Sequence, residues 1–322
     1  MKRIGVLCSG GDAPGMNACI RAVVRTAIAR GLEIWGIRRG YRGLVENDLI
    51  PMNSRSVSGI IQRGGTILET SRCEEFRTPE GRARAYRVAQ SAGLDGLVLL
   101  GGDGTFRGAI AFYDEWKLPS VGVPCTIDND VAGTSFTIGF DTAVNTALDA
   151  IDKIRDTASS LQRLFLVEVM GRKSGYIAQE VALAGGAEAV LVPEVRNSIP
   201  RLAERISNDM TKGKRAWIIV VAEGDEAGGA FAVGKELGSR LNLDYRVTVL
   251  GHIQRGGRPT ARDRALACLL GASAVEGLLA GKTNCMVGRV GGRVVFTPFE
   301  KVVARKKPLD ASSLRLVSTL AG

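Results

Sequence analysis

Eight short apolar runs punctuate the chain, at residues 4–8, 33–37, 97–100, 120–123, 164–169, 189–192, 217–222 and 247–250. Each is continuous rather than alternating, which is the pattern of a strand buried on both faces, as in a parallel sheet. Between them lie longer segments with apolar residues at helical spacing: 16–30, 81–92, 106–116, 142–157, 200–211 and 262–279. This alternation predicts a doubly wound α/β architecture with right-handed crossovers. No repeat of 20–50 residues and no low-complexity linker interrupts it. A two-domain division would therefore be a cleft between similar α/β units.

Several predicted strands run into glycine-rich polar loops: Gly10-Gly11-Asp12, Gly101-Gly102-Asp103-Gly104-Thr105, Gly171-Arg172, Glu223-Gly224 and Gly251-His252. Ligands of open parallel sheets bind beyond the carboxyl ends of strands. One shared cleft is expected there.

With 322 residues, 45% of them apolar, and 41 glycines without period, the chain is neither disordered, collagen-like nor a small disulfide scaffold. The longest purely apolar stretch, 216–222, falls far short of the roughly 20 residues a bilayer span requires. The basic start reaches Ser9-Gly10-Gly11-Asp12 before a signal-like apolar core develops, so a cytoplasmic protein with no membrane partner is expected. Six cysteines include no Cys-x-x-Cys pair and the one histidine is His252, too few spaced ligands for structural zinc. The net charge of +10 is scattered, with Arg305-Lys306-Lys307 the one short basic run. That distribution favours a small anionic ligand or a basic surface over nucleic acid.

Gly101-Gly102-Asp103-Gly104-Thr105 joins a predicted strand to a predicted helix, where glycines let backbone N–H groups approach a phosphate. A plain tight turn is the other reading, and Gly102, Gly104 and Gly108 also approximate a dinucleotide loop. Asp103, however, sets a carboxylate where a pyrophosphate would lie, which favours a site containing Mg²⁺. Gly281-Lys282-Thr283 supplies the end of a Walker loop, but Glu276 stands in place of its first glycine. Thr126-Ile127-Asp128-Asn129-Asp130 places two carboxylates and a hydroxyl past a strand, either as an Asx-rich turn or as a proton acceptor beside a metal-holding or positioning group. His252 stands among Arg246, Arg255 and Arg258, and Arg163 and Met170-Gly171-Arg172 flank another strand. Guanidinium forks match phosphate oxygens. Arg21 and Arg25 lie one helical turn apart, which by default is a solvated basic face.

These motifs, in this order, resemble the ATP-dependent 6-phosphofructokinases of the bacterial type over essentially the whole length. Ser9-Gly10-Gly11-Asp12-Ala13-Pro14-Gly15-Met16-Asn17, residues 101–105, 126–130 and 138–143, Glu168-Val169-Met170-Gly171-Arg172, Ala222-Glu223-Gly224 and residues 251–257 carry the likeness. The resemblance implies two similar doubly wound α/β domains with the active site in the cleft between them, 1–139 plus 252–302 for ATP and 140–251 plus 303–322 for the sugar phosphate. It implies a homotetramer and a glycolytic reaction: the γ-phosphoryl group of ATP passes to the 1-hydroxyl of fructose 6-phosphate. Asp128 would be the base, Asp103 would hold Mg²⁺, and Arg72, Thr126 and Arg172 would stabilise the transferring group. ATP would contact Gly11, Arg72, Cys73, Gly102, Asp103, Gly104 and Thr105. The sugar phosphate would contact Thr126, Ile127, Asp128, Met170, Gly171, Arg172, Glu223, Arg246, His252, Ile253, Gln254 and Arg255, with Arg163 reaching it across a subunit boundary. ADP and phosphoenolpyruvate would act as effectors at Arg21, Arg25, Arg155, Gly186, Ala187, Glu188, Lys212 and Lys214.

The sequence departs from the family pattern at four positions. Cys125 replaces a glycine and is expected to crowd the phosphate loop, Leu161 replaces a polar residue, and Tyr176 and Gly59 stand where Asp is frequent. Gly59 bears on effector control. The alternatives are a catalytically weak paralogue that binds sugar phosphate or nucleotide, a pyrophosphate-dependent phosphotransferase and, from the glycine loop alone, an NAD-dependent dehydrogenase. Trp116-Lys117-Leu118-Pro119 occupies the region where the last needs its acidic ribose ligand, with Asp114 and Glu115 beside it.

Overall fold

The computed structural model describes the chain except residues 161–162, 197, 225–227 and 322. The position of Leu161 therefore lies outside the described residues. The first half contains β1 (Arg3–Cys8), α1 (Met16–Ala29), β2 (Glu33–Ile37), α2 (Tyr41–Glu46), β3 (Leu49–Met52), α3 (Pro79–Ser91), β4 (Gly96–Gly101), α4 (Asp103–Trp116), β5 (Ser120–Thr126), β6 (Ile138–Gly139) and α5 (Phe140–Ser160). There follow β7 (Leu164–Val169), α6 (Tyr176–Ala184), β8 (Ala189–Leu191), α7 (Ile199–Thr211), β9 (Trp217–Ala222), α8 (Gly229–Leu241) and β10 (Tyr245–Val249). The last part has α9 (Ala261–Leu279), β11 (Cys285–Val290), β12 (Arg293–Pro298), α10 (Phe299–Val303) and α11 (Ala311–Leu320). Among the described residues no helix is long and apolar enough to cross a membrane.

The chain divides into two compact units. One comprises Met1–Ile127, Val131–Thr142 and Arg255–Lys307, the other Asp128–Asp130, Ala143–Gln254 and Pro308–Gly322. The sheet of the first unit runs β12-β11-β5-β4-β1-β2-β3, with β6 on the end of β5. Its centre is parallel and its two edges, β3 and β12, are antiparallel. Leu7, Ile37, Leu97 and Leu99 build the core with Phe106, whose ring stacks on Phe299 at 5.0 Å. The second unit has a four-stranded parallel sheet, β10-β7-β9-β8. Leu164, Leu166, Ile219 and Val221 pack under Leu202 and Ile206 of α7 and Val233 and Leu237 of α8.

All eight apolar runs fall on strands; most are covered on both faces and so read as unbroken apolar sequence, whereas β10, at a sheet edge, has no buried residue. The β11–β12 hairpin, by contrast, is half exposed and interrupted by Gly288. Its turn, Gly291-Gly292, takes positive φ at both residues, as a two-residue hairpin requires.

Candidate active site

In the first unit β1 and β4 are parallel neighbours with Cys8 opposite Leu100, so the loops that follow them leave the sheet side by side. Ser9 N donates to Leu100 O at 2.9 Å, and Thr105 Oγ1 donates to Ser9 O at 3.0 Å. The Thr105 side chain is thus buried and committed to holding the loops together. Asp103 is the first residue of α4, half-buried, with Gly102 as N-cap. No atom lies within 4 Å of where a Cβ on Gly104 would stand. Arg255 lays its guanidinium on the glycine loop after β1, donating from Nη1 to Asp12 O at 3.1 Å beside Gly11. Thr70 Oγ1 fixes the same loop at Gly10 O, 2.7 Å. Arg72 is exposed, and Cys73 packs against the core of the unit.

Beyond β5, Thr126 O accepts from Thr137 Oγ1 at 2.6 Å, and the Ile127 side chain is fully buried, so Ile127 offers a ligand only its backbone. Asp128, 5% exposed, belongs to the second unit. There Arg172 Nε stands 3.9 Å from Asp128 Oδ2, and Ser174 Oγ donates to Asp128 O at 3.0 Å. Arg172 holds φ at 55°, a left-handed conformation few non-glycine residues adopt. Glu223 stabilises it: its Oε1 accepts from Arg172 N at 2.6 Å and Gly171 N at 3.3 Å. A Cβ on Gly224 would lie 1.7 Å from Arg172 O, so only glycine lets the two strand-end loops cross. Further along the loop Glu194 accepts from Gly175 N at 2.9 Å.

One expected sugar contact has another duty, and two lie at the far ends of their strands. Gln254 is fully buried, with Oε1 accepting from Met170 N at 2.8 Å and Nε2 donating to Ala143 O at 3.2 Å. It holds Met170 in place and has no free face for a substrate. Arg246 lies on β10 one register step from Tyr245, which pairs with Leu164, and Arg163 precedes Leu164 within 3.9 Å of Asp244. Both arginines therefore stand at the amino ends of parallel strands. Arg172, Glu223, His252 and Ile253 follow the carboxyl ends. A six-residue strand separates the ends of β7 by about 17 Å. Within one chain the second unit does not bring Arg163 or Arg246 to Arg172. His252 and Ile253 are both exposed.

The effector candidates divide between the units. Arg21 and Arg25 lie on α1, half-buried and exposed. In the second unit Arg155 Nη2 donates to Gly185 O at 2.6 Å and Gly186 O at 2.8 Å. Ala187 is buried, and Lys214 pairs with Glu188 at 3.3 Å and donates to Ala321 O at 3.0 Å, while Lys212 is exposed. Gly59 takes φ 66° in an exposed turn, a conformation that glycine adopts more easily than Asp. Tyr176 opens α6, and its hydroxyl donates to Pro308 O; burial first, then Glu194, pushes that hydroxyl up to about 12.

Cys125 does not crowd the phosphate loop. Strand alternation turns its side chain into the core, 1% exposed, where the thiol hydrogen-bonds that of Cys19 on α1 and burial pushes its pKa upward.

Residues 3–278 match the family model described as Phosphofructokinase. The chain belongs to the phosphofructokinase family. It is 57% identical over the full length of both chains to ATP-dependent 6-phosphofructokinase 1 of Thermus thermophilus. It is 51% identical to ATP-dependent 6-phosphofructokinase of Cytophaga hutchinsonii, over all of this chain and 98% of that one. Among solved structures, phosphofructokinase from Saccharomyces cerevisiae superposes with a TM-score of 0.88 at 37% identity. That match covers 94% of this chain and 45% of the longer yeast chain. A pyrophosphate-dependent phosphofructokinase from Marinobacter aquaeolei shares the fold, TM-score 0.85, at 22% identity.

For a phosphofructokinase the donor set suits a metal that arrives with its substrate. Among the described residues no group of three His, Cys, Asp or Glu could hold an ion alone. Asp103 offers one hard carboxylate at a helix N-terminus, and Mg²⁺ is commonly bound by one or two carboxylates plus phosphate oxygens and water. The chain thus fits the divalent metal that the family implies. Sequence reading missed Ser174, Glu194 and Asp263. Ser174 and Gly175 continue the Gly171-Arg172 loop, and Thr260-Ala261-Arg262-Asp263 has the spacing of a capping box.

Proposed function

We propose that this phosphofructokinase transfers the γ-phosphoryl group of ATP to the 1-hydroxyl of fructose 6-phosphate, giving fructose 1,6-bisphosphate and ADP in glycolysis. The observation that carries the reading is the buried Asp128 carboxylate with Arg172 Nε at 3.9 Å. Asp128 accepts the hydroxyl proton as the O1–Pγ bond forms and the bond from Pγ to the bridging oxygen of ADP breaks. Arg172, Arg72 and Thr126 face the charge that spreads over the transferring group, and such positioning and electrostatic stabilisation is most of the catalysis in phosphoryl transfer. Asp103 would hold Mg²⁺, which when bound would supply neutralisation of phosphate charge. The first unit takes ATP on Gly11, Arg72, Cys73 and residues 102–105, and the second takes the sugar phosphate. Gly104, with open space around it, supports a nucleotide donor over pyrophosphate, since related pyrophosphate-dependent enzymes typically carry a carboxylate there.

Arg163 and Arg246 stand together at the strand ends remote from Arg172, so they reach the sugar phosphate from a second copy of the chain. That supports a homotetramer in which substrate sites are shared. ADP and phosphoenolpyruvate act at the basic groups around Arg155 and Lys214 in a cytoplasmic enzyme.

A steady-state assay of purified protein with fructose 6-phosphate and Mg²⁺, supplied with ATP or with pyrophosphate, tests the reading. Turnover is expected with ATP and not with pyrophosphate. The reverse pattern would reassign the donor, and nucleotide binding without turnover would make the chain a weak paralogue.

A further inference from the structure

One buried carboxylate of the first unit has no part in the roles above. Asp263, in the first turn of α9, is 1% exposed. Its Oδ1 accepts from Gly139 N at 2.9 Å, and its Oδ2 accepts from Thr142 N at 2.8 Å and Thr142 Oγ1 at 2.5 Å. A carboxylate ionised in the interior is costly unless its lone pairs are satisfied, and these three donors satisfy them. Two of them belong to the start of α5, where the helix dipole also favours a negative charge. Burial pushes the Asp263 carboxyl upward in pKa while these donors hold it down. Thr142 Oγ1 in turn accepts from Thr260 N at 3.1 Å, which closes the network.

What Asp263 grips is a junction of phosphate loops. Gly139 pairs with Thr126 in the β5–β6 register, and Thr137 Oγ1 holds Thr126 O. At Gly139, φ is 106°, and a Cβ would stand 2.7 Å from Ala13 Cβ and 3.4 Å from Ile127 Cγ2. The glycine therefore lies wedged between the loop after β1 and the loop after β5.

We propose that Asp263 is a positioning residue for phosphoryl transfer, fixing Gly139 and Thr142 so that Thr126 and the 10–15 loop keep one mutual geometry. The inference rests on the reaction assigned above. A misplacement of about 1 Å in such a site can cost on the order of 10²-fold in rate. Asp263→Asn turns an acceptor into an amide N–H facing donors. It is expected to lower kcat roughly 10- to 100-fold with KM for ATP and fructose 6-phosphate within about threefold, because Asp263 touches neither substrate. Thr142→Ser, which keeps the hydroxyl, should retain near wild-type kcat, and Thr142→Val should lose about 5- to 20-fold. Hydrogen exchange of the Gly139 and Thr142 amides should accelerate in Asp263→Asn while the middle of α9 stays protected.

Faster exchange with kcat unchanged would make Asp263 a helix cap only and overturn the proposal, as would equal kcat in the two Thr142 variants. If Asp263→Asn does not fold, the Thr142 pair decides. A wild-type protein that turns over no fructose 6-phosphate, with exchange still accelerated in the variant, would refute the assigned reaction and leave the hold of Asp263 on the loops standing.

Discussion

A methyl group at Gly11 tests whether the loop after β1 and Arg255, proposed above to hold nucleotide and sugar phosphate, are mechanically one piece. A Cβ there would stand 2.4 Å from Arg255 Nη1 and 3.1 Å from its Cζ. Comfortable contact needs about 3.5 Å, so the guanidinium must retreat by about 1 Å. Gly11 does not occupy the left-handed region, so alanine fits the backbone and the fold is expected to survive. Retreat takes Nη1 away from Asp12 O, now 3.1 Å distant. Hydrogen bonds to a charged group contribute about 1.5–3 kcal/mol, and Arg255 is half-buried, which favours the lower end. At 1.36 kcal/mol per decade that is a factor of roughly ten.

Gly11→Ala should therefore raise KM for fructose 6-phosphate about tenfold with a smaller effect on kcat. In an Arg255→Ala background the steric contact no longer exists, and adding Gly11→Ala should cost nothing further. The double-mutant cycle then returns a coupling energy equal to nearly the whole single-mutant effect, about 1.4 kcal/mol. Steady-state kinetics on the four proteins measure it. Additive effects would refute the reasoning, and so would a rise in KM for ATP alone.

Two further outcomes follow from the same geometry. Asp128→Asn should lower kcat by about 10²- to 10⁴-fold with ATP affinity by calorimetry unchanged, the usual effect of losing a positioned general base; near wild-type turnover in the folded variant would remove Asp128 from that role. Asp310 caps α11, and hydrogen bonds from Ser312 and Ser313 hold its carboxyl down at about 2. Because the folded pKa is depressed, the cap contributes stability above the ordinary carboxylate range that is lost as pH falls from about 4 through 2. Amide exchange in α11, corrected for intrinsic rates, should accelerate over that window in wild type and not in Asp310→Ala.

What the sequence made legible follows from what each feature depends on. Strands covered on both faces announce themselves, and every glycine loop read from sequence does follow a strand. The antiparallel edges did not show, because Pro51 and exposed Ile50 in β3 and the glycines of the β11–β12 hairpin break the apolar run. Helices α6 and α8 also escaped, starting as they do amid the glycines of residues 171–175 and 228–229. Site residues were legible as a set but not by duty. Nothing in Gly251-His252-Ile253-Gln254-Arg255 says that Gln254 alone turns inward, since that depends on Met170 and Ala143 far away in sequence. Arg246 and Arg163 looked like companions of Arg172, and only strand direction separates them.

In a chain of net charge +10, the distribution of carboxylates bears on how the proposed site would present arginines to phosphates. Away from the strand-end loops guanidinium groups meet acids, as in Arg3 with Glu33 at the amino ends of β1 and β2 and Arg30 with Glu276 near the ends of α1 and α9. Three acids near the strand-end loops are occupied otherwise. Glu223, Glu194 and Asp263 accept backbone N–H groups of the loops themselves. Two arginines of these loops consequently rest on a carbonyl or solvent: Arg255 on Asp12 O, and Arg172 more than half exposed, with Asp128 at 3.9 Å. Carbonyl partners orient a guanidinium without neutralising it. In the proposed reaction the incoming phosphates supply the counter-charge, while the acids that order the loop backbones spend their lone pairs on N–H groups.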